Sequence, residues 1–207
     1  MTGRVSAPTG NVYDKYESEH GIERRLMARF LRCLDAALPA SAPGRVLEIG
    51  SGEGVIAGHV ARRFPEATIV GVDLSDDDLA RHWRERGLRG TFGDAARLPF
   101  PEGSFDLVLA IEVLEHLDDP AAALAEIGRV ARGSVILSVP REPLWRIGNI
   151  VRRRYLPAWG NTPGHVQHWG SRSFRGVVSR HLRVVGHWRP FPWTMILATP
   201  WPSRPAR

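Results

Sequence analysis

The chain has 207 residues, 43% of them hydrophobic and 24% charged. That composition suits one globular domain with a buried core and excludes a disordered or low-complexity chain. The formal net charge is +6, carried almost wholly by arginine because Lys15 is the only lysine, and no RNA-binding module accompanies the scattered arginines, which argues against a nucleic-acid partner.

Cys33 is the only cysteine, so an intrachain disulfide is excluded. The longest apolar run, Leu107 to Leu114, is broken by Glu112 and is too short to span a bilayer. No signal-peptide pattern opens the chain, and the expected location is cytoplasmic. Residues 1–12 are polar and read as a leader. Tyr13 and Tyr16 follow as candidate ligand contacts or packing aromatics. From Glu23 to Leu38 the spacing predicts a helix with Leu26, Met27, Phe30, Leu31, Leu34 and Leu38 on its apolar side, stopped by Pro39.

Val46, Leu47 and Ile49 then predict a short buried strand. It runs into Gly50-Ser51-Gly52-Glu53-Gly54 and a helix with Val55, Ile56, Val60, Ala61 and Phe64 on one side. Strand, glycine loop and helix form the nucleotide-binding opening of a doubly wound α/β sheet. The spacing is Gly-x-Gly-x-Gly, not the Gly-x-Gly-x-x-Gly of dinucleotide enzymes, and Glu48 stands two residues before Gly50. A pyrophosphate beside Glu48 would meet repulsion on the order of 4 kcal/mol at about 4 Å. A ligand bearing a sulfonium and an ammonium would be attracted instead. S-adenosyl-L-methionine is such a ligand.

Thr68 to Asp73 reads as the second strand, with Asp73 placed to accept both ribose hydroxyls. Ser75 or Asp76 caps a helix running to about Arg86. Leu88 to Gly93 is a third strand, after which Asp94 and the backbone at Ala95 can hold an adenine edge. Phe105 to Ala110 reads as a central strand buried on both faces. An alanine-rich helix (Pro120 to Ala131) and a fifth strand (Ser134 to Val139) follow. Leu144, Ile147, Val151 and Tyr155 are spaced for one helical face, and Arg146, Arg152, Arg153 and Arg154 fall off it. Such a basic amphipathic segment suits a membrane surface, an acidic substrate or a solvated cap. Pro157 to Gly170 reads as a loop, Phe174 to Leu182 as a helix, and Arg183–Trp188 and Thr194–Thr199 as two last strands.

The segments Val46 to Gly54, Gly71 to Ser75, Gly93 to Ala95 and Phe105 to His116 resemble the motifs of class I S-adenosylmethionine-dependent methyltransferases. The likeness is to the small-molecule branch that includes ubiquinone and menaquinone biosynthesis enzymes. It implies an α/β, Rossmann-like, doubly wound seven-stranded sheet whose last strand is antiparallel. It also implies one methyltransferase domain over residues 1–207. The core lies at about 44–139, an N-terminal helix at about 20–38, a cap or substrate segment at about 140–171 and the closing strands at about 182–199. The implied cofactor, S-adenosyl-L-methionine, would be held by Glu48, Gly50, Ser51, Gly52, Gly54, Asp73, Leu74, Asp94, Ala95, Ile111 and Glu112.

Methyl transfer from a sulfonium depends mainly on holding the acceptor close and in line. A base is needed only where the acceptor must lose a proton. His116 is the candidate catalytic base, with a structural cap as its alternative. Glu112, Glu115 and His116 are spaced i, i+3, i+4 and would share one side if helical. With His165 and His168 they make a candidate ligand set for a divalent cation. That pattern resembles the Glu-x-x-Glu-His of metal-dependent small-RNA 2′-O-methyltransferases, but such clusters also arise as hydrogen-bonded walls, and no metal is expected. The tryptophans of the C-terminal third, Trp145, Trp159, Trp169, Trp188, Trp193 and Trp201, suggest an aromatic acceptor pocket or loop packing. The expected activity is methyl transfer to a small, apolar or aromatic acceptor. Its rivals are metal-assisted O-methylation of RNA and a non-catalytic cofactor-binding protein of the same fold.

Overall fold

The computed structural model describes residues 21–153 and 155–202; Tyr13, Tyr16 and Arg154 lie outside the described residues. Met27, Phe30, Leu34 and Ala37 recur at three- and four-residue intervals and are the buried side of α1 (Gly21–Ala37). Strand and helix then alternate through β1 (Arg45–Ile49), α2 (Val55–Arg63), β2 (Thr68–Asp73), α3 (Asp77–Glu85), β3 (Arg89–Phe92) and β4 (Phe105–Ile111). The chain continues through α4 (Pro120–Val130), β5 (Ala131–Pro140), α5 (Leu144–Val151), α6 (Ser171–Val178), β6 (Leu182–Trp188) and β7 (Trp193–Pro200). Asp76 caps α3 by accepting from the amides of Asp78 (2.8 Å) and Leu79 (3.3 Å). Asp119 caps α4 in the same way, ahead of Pro120 at a position where a missing N–H costs nothing.

The seven strands form one sheet in the order β3-β2-β1-β4-β5-β7-β6. The first five pair in parallel, and β7 runs antiparallel to both β5 and β6. The expected sheet and its antiparallel last strand are therefore present. Alternation along β4 builds two core layers. Val108 and Ala110 pack with α4 and α6 on one face, and Leu107, Leu109 and Ile111 with α1 and α2 on the other. Each fully buried leucine contributes roughly 1.5–3 kcal/mol. The strand order reverses between β1 and β4, and a ligand crevice opens there, beyond the strand ends.

The α5 spacing is cut short by the structure. The face of α5 that turns inward carries Trp145 and Asn149; Ile147 and Val151 are exposed, and the helix stops before Tyr155. The cause is polar. Asn149 Nδ2 donates to Gly160 O (2.9 Å) and Thr162 Oγ1 (3.2 Å), and Trp145 Nε1 donates to the same hydroxyl (2.9 Å). A buried amide with its partners supplied outcompetes an unsupported aliphatic stripe. At residues 112–116 the helical condition is not met: Glu112 takes a left-handed backbone (φ 56°) and a single 3-10 turn covers Leu114–His116.

Candidate active site

The glycine loop begins where β1 ends. The amides of Gly50 and Ser51 donate to Val72 O at 2.8 and 3.2 Å, which turns the chain back toward β2. Gly50 has φ +65°, and a Cβ there would stand 2.3 Å from Val113 Cγ2. Only glycine meets both demands. Asp73, at the end of β2, grips the loop: Oδ2 accepts from Gly52 N (2.7 Å) and Oδ1 from Leu74 N (2.8 Å). Trp83 on α3 donates from Nε1 to Gly52 O at 2.8 Å. Sequence reasoning missed that clamp; its one signal was Leu79 and Trp83 four residues apart on a charged helix.

A cavity of about 620 Å³ lies above this loop. Glu48, Gly50, Ser51, Gly52, Asp73, Leu74, Asp94, Ala95, Ile111 and Glu112 all line it, as does His116. Gly54 does not reach its wall; it turns the backbone into α2 at φ +79°, against Leu88. Asp94 Oδ1 accepts from Ala96 N (2.8 Å), fixing the turn after β3. Glu112 N donates to Ser138 O (2.9 Å), tying the loop after β4 to β5.

The wall is electronegative. Glu23, Glu48, Glu53, Asp73, Asp94 and Glu112 line it, against the single guanidinium of Arg152 among the described residues. Burial pushes the Glu48 carboxyl up to about 8, with the nearby Asp73 charge adding to the effect. Burial also raises Asp73, although two amides donate to it. Glu48 Oε2 and Ser51 Oγ are buried and have no hydrogen-bond partner among the described residues. A buried carboxylate oxygen left over on a cavity wall fits a cationic donor group and opposes a phosphate. The residues present thus suit the ammonium of S-adenosylmethionine.

At the far end the wall becomes apolar and aromatic: Ile22, Leu26, Leu144, Trp145, Phe191 and Trp193 line it. Trp145 and Trp193 stand 5.8 Å apart. The other tryptophans divide differently. Trp169 packs on Phe174 in the core, Trp188 packs against the sheet, and Trp159 and Trp201 are exposed. Between the two ends stands His116, whose Nδ1 donates to Gly164 O at 3.0 Å. The amides of Val166 and Gln167 donate to Glu115 O (2.9 and 3.0 Å), drawing the 165–167 segment onto the turn. In consequence Glu115, His116 and His165 each bring one donor atom within 4.8 Å of the others. Glu112 and His168 are not in that group; His168 Nε2 pairs with Asn161 Oδ1 at 2.8 Å.

A profile described as a methyltransferase domain matches residues 47–139. A demethylmenaquinone methyltransferase from Roseiflexus castenholzii is 37% identical over 159 residues, covering 72% of this chain and 67% of that protein. The chain belongs to the class I S-adenosylmethionine-dependent methyltransferases. A fatty-acid O-methyltransferase from Mycolicibacterium smegmatis is 38% identical over 107 residues, covering 50% of this chain and 39% of its own length. This methyltransferase thus spans about two thirds of the first of these relatives and well under half of the second. Among solved structures, the PH0226 protein from Pyrococcus horikoshii superposes with a TM-score of 0.68 at 18% identity, covering 92% of this chain and 97% of that one. That likeness shows the shared fold.

Proposed function

We propose that this methyltransferase moves a methyl group from S-adenosylmethionine to a small, apolar or aromatic acceptor. The observation that carries the reading is one cavity with an acidic glycine-loop end and an aromatic end. The names of the relatives, which include a demethylmenaquinone and a fatty-acid methyltransferase, support an acceptor of that kind. S-adenosylmethionine supplies, when bound, a methyl group on a good leaving sulfonium. Glu48 and Ser51 would receive its ammonium, Asp73 its ribose hydroxyls, and Asp94 with Ala95 its adenine edge. Trp145 and Trp193 orient the acceptor and keep water out, so the protein's work is positioning. His116, between the two ends, handles the acceptor proton.

The test is a titration with S-adenosylhomocysteine followed by methyl-label uptake from fractionated extract. Micromolar binding with label in an apolar fraction is expected; absence of binding at millimolar ligand would overturn the reading. His116→Ala should lower kcat by roughly 10²–10⁴-fold while leaving S-adenosylhomocysteine affinity within twofold. Equal loss of binding would make His116 a structural residue instead.

The Glu115, His116 and His165 donors favour a second reading, in which a divalent cation there orients an acceptor oxygen. Calorimetry with Mn²⁺ or Zn²⁺ on the wild type and Glu115→Gln decides between the two. Binding that the substitution abolishes supports the cation.

A further inference from the structure

α5 and the turn after it carry an apolar face that no described residue covers. Ile147 is 51% exposed, Val151 76%, Leu156 51% and Trp159 79%. The turn folds back on the helix, because a Cβ at Gly160 would touch Arg146 O and Ile150 Cγ1. Trp159 is therefore held beside α5. Arg153, Tyr155 and Trp159 take left-handed backbone conformations (φ 54°, 53° and 51°), a local strain that serves to present this turn.

The segment that carries that face is one-sided in charge along the sequence. From residue 143 to 207 there are eleven arginines and no aspartate or glutamate; all 22 acidic residues precede residue 143. The scattered arginines noted above thus conceal a sharp division, with a net acidic first part and a wholly basic last part. Arg152 and Arg153 are exposed beside the apolar side chains, Arg152 reaching back to Glu23 of α1 at 3.4 Å and Arg153 standing next to it on the chain. Val151, Arg152 and Tyr155 of the same segment also line the cavity.

We propose that this face docks on the surface of an anionic phospholipid bilayer and that the acceptor enters the cavity from the lipid phase. Basic side chains flanking exposed isoleucine, valine, leucine and tryptophan match a headgroup and acyl boundary. RNA would neutralise the arginines but leave the aliphatic groups in water. A second copy of the chain would bring like charge against like charge across a shared face. No helix among the described residues is long and apolar enough to cross a membrane, so the contact is peripheral. The route of the acceptor rests on the methyl-transfer reading above; the docking itself does not.

The test sediments the full-length protein with phosphatidylcholine vesicles and with phosphatidylcholine–phosphatidylglycerol vesicles at 0.1 M salt. S-adenosylhomocysteine affinity is measured alongside. The expected result is at least about tenfold stronger partition onto the anionic vesicles. The double substitution Ile147→Ser with Trp159→Ser should cut it about tenfold, and Arg153→Glu at least about fivefold. Both variants should keep S-adenosylhomocysteine affinity. No partition at millimolar lipid would overturn the proposal, as would partition that neither variant changes. So would total RNA binding of equal strength that the double substitution leaves intact, which would assign the face to a polyanion. Concentration-dependent dimerisation lost in the double variant would assign it to a second copy. Failure of S-adenosylhomocysteine to bind the wild type would remove the methyl-transfer reading and leave the vesicle result standing.

Discussion

Replacing Glu48 by glutamine is expected to weaken S-adenosylhomocysteine binding by roughly ten- to a hundredfold, the worth of one charge-assisted hydrogen bond in a buried site. The effect should depend on pH in a fixed direction. Without ligand the Glu48 carboxyl titrates at about 8 and is mostly protonated at neutral pH. The ligand's ammonium favours the ionised form, so binding expels a proton. Wild-type affinity should therefore rise by up to about tenfold per pH unit below 8 and level off above it. The variant should show no such slope. Calorimetry in two buffers of different ionisation heat measures the released proton directly. A wild-type affinity that is flat between pH 6 and 8.5 would sink this account of the acidic crevice.

The same shift makes an opposite forecast for stability. A carboxyl whose folded-state value is raised from 4.5 to about 8 holds its proton more tightly in the folded chain. Its stabilising contribution is complete below pH 4.5 and is lost as pH rises through 8. Without ligand, Glu48→Gln should melt with the wild type at pH 4.5 and above it at pH 8.5. Glu48 thus lowers the stability of the empty protein at alkaline pH while favouring the bound one.

Asp73→Ala should produce the larger loss, a weakening of S-adenosylhomocysteine binding by more than about a hundredfold. One carboxylate holds two amides, Gly52 N at 2.7 Å and Leu74 N at 2.8 Å, and on the proposed reading it also receives the ribose. Hydrogen bonds to a charged group contribute about 1.5–3 kcal/mol each, and the alanine removes several together. Asp73→Asn should recover only part of this, because an amide offers one acceptor oxygen where two N–H groups ask for one each. Hydrogen exchange at the Gly52 amide should quicken in both variants. Affinity within threefold of wild type in Asp73→Ala would show that the loop stands without its carboxylate.

What could be read from the chain beforehand followed from short-range rules. The apolar run of β1, the glycines and Asp73 obey local demands: a strand that must bury, a backbone that must turn, an acid at a strand end. Their positions hardly depend on anything distant. The burial of Asn149 was not legible, for the opposite reason. A polar residue on a helix reads as solvent-facing, and only the Gly160 carbonyl, eleven residues further on, makes its burial favourable. The left-handed turn of Glu112 was not legible because side-chain spacing says nothing about a backbone at φ 56° beyond the end of β4. The meeting of Glu115, His116 and His165 depends on two amides at 166 and 167 finding the Glu115 carbonyl, a contact across some fifty residues that no periodicity announces.

The insertion of β7 between β5 and β6 has a consequence for how the protein is made. Every other strand leaves the ribosome before β7, and β5 and β6 are joined only through it. The nascent chain must therefore carry one flank of β5 and one of β6 unzipped until residue 200 clears the exit tunnel. During that interval those bare edges are templates for foreign strands. A chaperone that shields them would set the yield of native molecules, and loss of β7 alone would leave both edges bare.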